Sequence, residues 1–220
     1  AEYVDKLYSN IIDAGTYSAA SIAVAEMAKV IENTQRDVNI GLINEISIIC
    51  QEMRIDTHDV LRAASTKWNF LNFTPGLVGG HCIGVDPYYL AYKAQSLNII
   101  PKMILAGREI KEYYPKYIIQ KLVKEVISRK ISIGKVLLLG LTFKENCPDL
   151  RNSKSFTLIN ELCEFGFSVD AYDPYVRNDR KDIQFSRSTI LDELTVGSYC
   201  AVVVAVAHDE FKCLDVDKLR

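Results

Sequence analysis

The sequence predicts an α + α/β protein, in which a helical region at 1–130 is followed by a region at 131–220 built on a parallel sheet. Two long stretches of the first region carry apolar residues at helical spacing. In the second region short apolar runs alternate with helical stretches, which is typical of a parallel sheet with crossover connections. Since 220 residues suffice for two modest cores, we expect two domains that divide near residue 130.

The first predicted helix runs from about Ser18 to Arg54. This stretch contains no proline, and Gly41 is its only glycine. Apolar residues recur along it at helical spacing: Ile31, Val38, Leu42, Ile46 and Ile49. The pattern predicts one long helix with at most one break.

A second helix is predicted to start after Pro101, because proline suits the beginning of a helix. One apolar face follows it, formed by Ile110, Tyr114, Ile118, Leu122 and Val126. Pro115 lies inside this pattern and predicts a kink.

The second region opens with a strand at Lys135–Gly140, followed by a helical stretch from about Lys154 to Phe165. Further strands are predicted at Ser168–Tyr172 and at Ala201–Ala207. This alternation indicates a Rossmann-like parallel sheet. Only Asp209–Arg220 follows the last strand, so we expect the sheet to be incomplete at its C-terminal end.

Composition and charge narrow the function classes. A net charge of −2 offers no basic surface for a nucleic acid or an anionic membrane, so neither is an expected partner. No apolar run is long enough to span a bilayer and the first residues do not resemble a signal peptide, so we expect a cytoplasmic protein.

The six cysteines are widely scattered and form no C-x-x-C pair. This spacing predicts neither a disulfide framework nor a bound metal. Four of the cysteines have apolar neighbours and are predicted to be buried: Cys50, Cys163, Cys200 and Cys213. Cys82 has different surroundings.

Cys82 lies in the predicted loop Asn69–Pro87, which is rich in glycine, proline and asparagine. Glycines such as Gly79 and Gly80 let the backbone bend sharply and expose its N–H groups to a ligand. A carbonyl group could then come within bonding distance of the sulfur, which favours a nucleophilic cysteine. The alternative is a glycine-rich turn with an incidental thiol, because composition does not display thiolate character.

Other polar residues could serve the same site. Lys29 and Asn33 are four residues apart on one helix face and could stabilise an oxyanion, although such pairs are commonly solvated. Asp86 could position water or take a proton near Cys82, or it could cap a helix that begins near Pro87. His81 is an unfavourable partner for Cys82, because adjacent side chains seldom form a catalytic dyad.

Three ordered motifs carry a resemblance to a known family. These are Ala25–Asp37, the cysteine loop Gly79–Pro87, and Gly140–Lys144 followed by Arg151–Ser153. Together they resemble the UDP-glucose/GDP-mannose dehydrogenase family over essentially the whole chain. The cysteine loop with its continuation Val85–Leu90 is most similar to the UDP-N-acetylhexosamine 6-dehydrogenase branch, which serves bacterial capsule and O-antigen synthesis.

The resemblance implies a domain order. Members of the family have an N-terminal NAD-binding Rossmann domain, a helical dimerisation domain and a second Rossmann-like domain that binds the nucleotide sugar. No G-x-G-x-x-G motif follows a strand near the start of this chain, so residues 1–16 resemble the tail of the first domain. The implied cofactor is NAD, bound mainly by that first domain, and the implied assembly is a homodimer through the long helices.

The resemblance also implies roles for single residues. Cys82 would bond to C6 of the sugar, first as a thiohemiacetal and then as a thioester that water cleaves. The other implied catalytic residues are Lys29, Asn33 and Asp86. The substrate, a UDP-N-acetylhexosamine, would contact Gly79, Gly80, Phe143 and Lys144, and Arg151 would reach the cofactor.

Some alternatives remain open on the sequence. Lys144 and Arg151 could be solvated surface residues, and Asp173 could bind a ribose or form a turn with Pro174. At the level of function, a non-catalytic nucleotide-sugar-binding and dimerisation module competes with the dehydrogenase, and so does a cysteine hydrolase. The sugar epimer is not predicted.

Overall fold

The computed structural model describes residues 2–176, 187–194 and 197–214. Its first half is helical, and the helices are α1 (Glu2–Ser9), α2 (Ile22–Glu52), α3 (Thr57–Ala64), α4 (Cys82–Ser96) and α5 (Lys102–Ser128). The second half contains β1 (Lys135–Leu139), α6 (Ser155–Glu164), β2 (Ser168–Tyr172), β3 (Ser188–Ile190), β4 (Ala201–Val204) and α7 (Asp209–Lys212). The predicted fold class, helices followed by a parallel α/β region, is confirmed.

The helix α2 runs without a break over 31 residues. It starts at Ser21, whose side chain accepts a hydrogen bond from the N–H of Val24 at 3.2 Å and so caps the helix. The helix crosses α5 where two glycines meet, since a Cβ added at Gly41 would lie 3.1 Å from the carbonyl oxygen of Gly107. Glycine at both positions lets the two backbones touch.

The apolar residues that recur along α2 do not form its buried face. Three of them, Ile31, Leu42 and Ile49, are about half exposed. The residues that α2 buries are mostly polar or small: Asn33, Thr34, Asp37, Gly41, Ile43, Asn44, Ser47 and Cys50. The two faces lie side by side on the helix, and the polar one turns toward α4 and α5.

The helix α5 begins directly after Pro101, as predicted, and continues through Pro115. Its predicted apolar face is buried or half-buried along its whole length. The second half of α5 packs against the sheet region, because Ile119, Val123 and Val126 belong to the same apolar core as β1 and α6. The proposed division near residue 130 therefore comes directly after α5, a helix that packs in both regions.

Among the described residues the sheet has four strands, in the order β3-β2-β1-β4, and every pairing is parallel. The strand Ser168–Tyr172 has its predicted bounds, whereas the last strand ends at Val204 rather than Ala207. The core is built on β1, where Val136, Leu137 and Leu138 are fully buried. Since the carboxyl ends of parallel strands share one edge, the loops after β1 and β4 meet there.

The cysteines differ in exposure. Cys50 is buried as expected, Cys163 and Cys200 are half-buried, and Cys213 is exposed, so its prediction was wrong. Within the described residues no helix is long and apolar enough to cross a membrane. The last six residues of the predicted C-terminal tail, 215–220, lie outside the described part of the chain.

Candidate active site

Cys82 is exposed and is the first residue of α4. Cys82 was predicted to lie inside a loop, and a helix was predicted to begin near Pro87, with Asp86 as a possible cap. Both predictions were wrong, since α4 begins at Cys82. Pro87 lies inside α4, where it has no N–H for the carbonyl of Ile83 one turn earlier. That carbonyl instead faces the Arg108 guanidinium, with Nη1 at 3.5 Å.

The start of α4 matters for a reactive sulfur. The N–H groups of a first helical turn are unpaired within the helix and give that end a partial positive charge. A negative charge on a group at this end is therefore stabilised. Cys82 is the first residue of this turn.

Asp86 and Asn33 meet between α4 and α2. The side-chain amide of Asn33 donates a hydrogen bond to Oδ2 of Asp86 at 2.5 Å. Asn33 is almost fully buried, with 2% of its surface exposed. Cys82 and Asp86 are four residues apart on α4, and Lys29 and Asn33 are four apart on α2, so each pair shares a helix face.

Lys29 and Arg151 lie near the sulfur. A hydrogen bond at 2.5 Å to Glu32 raises the pKa of Lys29 above its ordinary value, and the nearby Cys82 sulfur adds to the effect. Asp149 likewise raises the pKa of Arg151, with smaller contributions from Cys147 and Cys82. Both cations are exposed, so their attraction to the sulfur is screened by water.

The cysteine loop is attached to the second region by its glycines. The N–H of Gly80 donates to the carbonyl of Arg151 at 3.1 Å, and the side chain of Asn152 donates to the carbonyl of Gly80 at 3.2 Å. A Cβ at Gly79 would lie 2.5 Å from the carbonyl oxygen of Asn152. Gly80 has φ +83°, and the Phe143 ring packs directly over it. Only glycine fits this junction without strain.

The same loop is attached to α2 through Asn44. Its side chain accepts a hydrogen bond from the N–H of Gly76 at 2.9 Å and donates one to the carbonyl of Gly76 at 3.1 Å. Asn44 is almost fully buried, so the pair of bonds is shielded from water. The loop before Cys82 is thus held from both regions.

Two connected cavities flank the loop. The larger one, of about 530 Å³, lies at the carboxyl ends of β1 and β4 and is bounded by Gly79, Thr142, Phe143 and Lys144. The smaller one, of about 360 Å³, lies beside α4. They share Gly79, Ser153 and Lys154 as walls. The larger volume is in the range that binds small organic ligands.

Phe143 and Lys144 form one wall of the larger cavity. Phe143 is half-buried between the cavity and the cysteine loop, and Nζ of Lys144 lies 5.6 Å from the centre of its ring. This arrangement offers a flat apolar surface beside a positive charge. Such a combination suits a ligand that has both a ring and an anionic group.

The guanidinium of Arg151 is directed by Asp149, which it contacts through Nε at 3.0 Å and through Nη2 at 2.6 Å. The side chain remains largely exposed. A guanidinium oriented in this way can bind a phosphate oxygen with its remaining N–H groups.

A cluster of buried charged residues joins the helices that carry the site. Asp37 on α2 forms ion pairs with Arg108 at 2.9 Å and with Lys111, both on α5. Arg108 also lies over the ring of Tyr88 on α4, 4.3 Å from its centre. The cluster therefore ties α2, α4 and α5 together. Sequence reasoning missed it, although Asn33, Asp37 and Asn44 follow a polar stripe at helical spacing.

The predicted catalytic residues of α2 and α4 are joined by the Asn33–Asp86 bond. Among the described residues, Cys82 bounds neither cavity, whereas the predicted substrate residues Gly79, Phe143 and Lys144 line the larger one. Asp173 is different, because it is buried and accepts hydrogen bonds from the N–H groups of Leu141, Thr142 and Tyr175. Its carboxylate holds a turn and offers no exposed oxygen to a ribose. This decides between the two alternatives that the sequence left open.

Comparison with known proteins assigns this arrangement to a family. The central domain of the UDP-glucose/GDP-mannose dehydrogenase family matches residues 23–113, and the UDP binding domain of the same family matches residues 137–220. The chain belongs to this family. The two matches contain the cysteine loop and the Phe143–Lys144 wall, respectively.

Curated relatives of the family agree along the chain. A UDP-N-acetyl-D-glucosamine 6-dehydrogenase of Pseudomonas aeruginosa is 53% identical over 222 residues, covering 100% of this chain and 52% of the relative. Protein CapL of Staphylococcus aureus is 50% identical over 213 residues, covering 96% of this chain and 50% of the relative. The chain thus spans about half the length of the curated relatives it matches.

Solved structures show the same fold. A UDP-D-ManNAc dehydrogenase from Pyrococcus horikoshii superimposes with a TM-score of 0.84 at 29% identity, covering 100% of this chain and 50% of that one. An NDP-N-acetyl-D-galactosaminuronic acid dehydrogenase from Methanosarcina mazei Go1 gives a TM-score of 0.84 at 26% identity, covering 98% and 48%.

Proposed function

We propose that this chain is the central and C-terminal part of an NAD-dependent UDP-N-acetylhexosamine 6-dehydrogenase. The enzyme would oxidise the C6 hydroxymethyl group of the sugar to a carboxylate in two steps. The main supporting observation is the attachment of the cysteine loop to the Arg151–Asn152 backbone and the Phe143 ring, because Gly79, three residues before the exposed Cys82, lines a ligand-sized cavity. The names of the relatives support the substrate class.

In this proposal the Cys82 sulfur retains the substrate between the two oxidations. The first removes a hydride from C6 and a proton from its hydroxyl group, which gives an aldehyde. The sulfur adds to the aldehyde carbon, and the oxygen takes up a proton to give a thiohemiacetal. Removal of a second hydride and proton gives a thioester, which water cleaves to the carboxylate and the free thiol. The reactive aldehyde is never released.

The residues of α2 have roles that follow from their positions. Addition to the aldehyde and hydrolysis of the thioester both place negative charge on the C6 oxygen. Lys29 and the Asn33 amide are donors of the kind that stabilises such an oxyanion. Asp86, bonded to Asn33 and one turn after Cys82, would accept the proton of the attacking water.

The UDP-sugar would occupy the larger cavity. Phe143 would pack against a ring of the ligand and Lys144 would pair with its diphosphate, while the backbone at Gly79 and Gly80 would approach the sugar. The position of this cavity at the carboxyl ends of β1 and β4 is where parallel sheets commonly bind nucleotides.

Two molecules of NAD, bound one after the other, would each accept one of the two hydrides. We expect most of the contacts with NAD to come from an N-terminal domain that is not part of this chain. Arg151 fits a cofactor contact, because its exposed guanidinium is held in place by Asp149 near the reactive sulfur. Its role would be to bind a phosphate oxygen of the cofactor.

At the level of the cell, we propose a cytoplasmic homodimer that contributes uronic acid precursors to a bacterial capsule or O-antigen polysaccharide. The exposed apolar stripe on α2 supports the homodimer.

The test is an NADH-forming assay on the full-length protein that carries this chain, with a panel of UDP-N-acetylhexosamines. We expect Cys82→Ser to reduce uronate formation by at least about a thousandfold, because the thioester can no longer form. Cys213→Ser, which alters another exposed thiol, is the matched control and should leave the rate unchanged.

Three results would contradict the proposal. Undiminished uronate formation by Cys82→Ser would reject the nucleophile. Binding of UDP-sugars without any NADH formation by the wild type would favour the non-catalytic binding module, and acylation of Cys82 without NAD would favour a hydrolase.

A further inference from the structure

A buried polar cluster lies beneath the loop that carries Phe143 and Lys144. It consists of His208, Asp173 and Thr142, which come from the segments that follow β4, β2 and β1, respectively. His208 and Thr142 are completely buried, and 2% of Asp173 is exposed. Three strand ends are thus joined by one imidazole ring.

The hydrogen bonds fix the state of His208. The backbone N–H of Asn146 donates to Nδ1 of His208 at 2.9 Å, so Nδ1 has no proton and acts as an acceptor. The proton of a neutral imidazole must then be on Nε2. That atom lies 3.0 Å from both Oδ2 of Asp173 and Oγ1 of Thr142, and both oxygens can accept. The surroundings select the neutral Nε2–H tautomer.

The partners of His208 hold the backbone of the loop. Oδ2 of Asp173 accepts the N–H of Leu141 at 2.6 Å and that of Thr142 at 3.0 Å. The hydroxyl of Thr142 donates to the carbonyl of Lys144 at 3.1 Å. Together with the bond from Asn146, the cluster fixes the backbone on both sides of Phe143.

The loop in turn sets the position of the cavity wall. The Phe143 ring packs over Gly80 of the cysteine loop, and Phe143 and Lys144 line the larger cavity. A displacement of this loop would move the wall and loosen its contact with the residues before Cys82.

We propose that His208 is a positioning residue, which holds the Phe143–Lys144 wall in the shape that binds the nucleotide sugar. It does not touch the substrate and acts through the backbone of Leu141 to Asn146. The binding part of the proposal rests on the proposed function, whereas the holding of the loop does not.

Simple packing is the competing explanation. His208 also lies against the rings of Tyr175 and Phe211, at centroid distances of 4.9 and 5.3 Å. An aromatic ring without nitrogen would preserve that packing and lose all the hydrogen bonds. His208→Phe therefore separates the two explanations.

The first measurement is amide hydrogen exchange of segment 141–147 in the full-length protein without ligand. For His208→Phe we expect exchange in this segment to accelerate at least about tenfold, as each lost buried hydrogen bond is worth about a factor of ten. His208→Asn, whose amide oxygen can replace Nδ1, should keep the Asn146 amide protected. Tyr175→Phe is the control and should match the wild type.

The second measurement separates KM from kcat in the NADH-forming assay. His208→Phe should raise KM for the UDP-sugar about tenfold with kcat within about twofold of the wild type, because the wall binds the substrate but does not react. His208→Asn should recover part of the loss. If His208→Phe does not fold, Thr142→Val removes the hydroxyl that accepts from His208 and should give the same shift in KM.

Each outcome supports or overturns the proposed role of His208. Wild-type exchange and wild-type KM in His208→Phe would show that the ring only packs, and faster exchange without a change in KM would overturn the link to binding. If the wild type oxidises no UDP-sugar, the proposed function fails. The ligand-free exchange comparison would then still decide whether His208 holds the loop.

Discussion

At the scale of single residues, the site depends on a glycine, whose lack of a side chain permits close backbone contact. Gly79 touches the backbone of Asn152 so closely that no Cβ can be accommodated, and it lies only three residues before Cys82. The position of the sulfur relative to the cavity is therefore set by backbone contact and does not require a bond to the sulfur itself.

Gly79→Ala should separate the cysteine loop from the second region. The added Cβ would lie 2.5 Å from a backbone oxygen, so the loop must move by about 1 Å. A displacement of that size at a reacting group commonly costs about a hundredfold in rate. We expect kcat/KM for UDP-sugar oxidation to fall by that factor, measured by NADH formation.

Gly76→Ala provides the matched control, because a Cβ there would meet nothing within 4 Å. It should retain kcat/KM within about threefold. Equal activity of the two alanine variants would show that contact with Asn152 does not position Cys82.

The sequence predicted which residues gather at the site, but it did not predict how they are held. The motifs singled out Cys82, Lys29, Asn33 and Asp86, and the structure brings them together around the start of α4. The bond between Asn33 and Asp86 joins residues 53 positions apart, and spacing along one chain does not reveal such a partner. The partners of His208, Asp173 and Thr142, were not predicted for the same reason.

At the scale of helices and strands, periodicity gave the existence of the long helices but not their orientation. The apolar residues of α2 recur at the spacing that predicted the helix, yet the face that packs inside this chain is the polar one. A hydrophobic pattern identifies a face that avoids water and does not say what covers it. The start of α4 was missed because proline was taken as a first residue, whereas here it lies one turn inside.

The charged cluster that joins α2 to α5 should respond asymmetrically to substitution. Asp37 is fully buried between Arg108 and Lys111, so Asp37→Asn would leave Lys111 without a counter-charge and Arg108 with only the partly exposed Glu112 at 3.5 Å. Breaking such a pair from one side costs about 3–5 kcal/mol of unfolding free energy. Lys111→Met leaves a neutral Asp37–Arg108 pair and should cost less than about 1 kcal/mol or stabilise the protein.

Lys111 also makes the contribution of this cluster to stability depend on pH. Burial lowers the pKa of Lys111 below its ordinary value, despite the opposing effect of Asp37. Between the lowered and the ordinary pKa, the unfolded chain binds a proton that the folded chain does not. The contribution of Lys111 to stability therefore rises with pH between the two pKa values. Below the lowered pKa, the cost of burying the charged lysine is fully present.

Urea unfolding at several pH values measures both effects. Lys111→Met should remove the alkaline rise that the lysine contributes, and Arg62→Met, which breaks an exposed ion pair with Asp59, should change stability by less than about 1 kcal/mol. Equal destabilisation by Asp37→Asn and Lys111→Met would contradict the assignment of an excess buried positive charge.

At the scale of the whole molecule, the two regions share structure. The second half of α5 belongs to the core of the sheet, while its first half contacts α2 and carries the charged cluster. The site lies where loops from both regions touch, so neither region alone would contain it. The alternation of strands and helices predicted the parallel sheet, since β1 and β4 are short apolar runs. The short strand β3 was missed because Ser188–Ile190 has too few apolar residues to give a pattern.

The exposed stripe on α2 leads to a prediction about assembly. Ile31, Leu42 and Ile49 lie on one side of the helix, and Leu42 borders a small cleft with Met103 of α5, which is 72% exposed. Apolar residues in such a stripe are costly in water and commonly mark an interface with another chain. A second copy of the same surface could cover it symmetrically, as in a homodimer through the long helices.

Leu42→Glu should weaken such a dimer, because it would place a carboxylate in the centre of the apolar contact without a partner. We expect sedimentation velocity on the full-length protein to show a dissociation constant raised at least about a hundredfold, which corresponds to about 2.7 kcal/mol. Ile127→Glu is the matched control, since Ile127 is also exposed, at 61%, but lies near the far end of α5. If both variants sediment as the wild type does, the α2 stripe is not the dimer interface, and if both dissociate equally, added charge rather than the stripe is responsible.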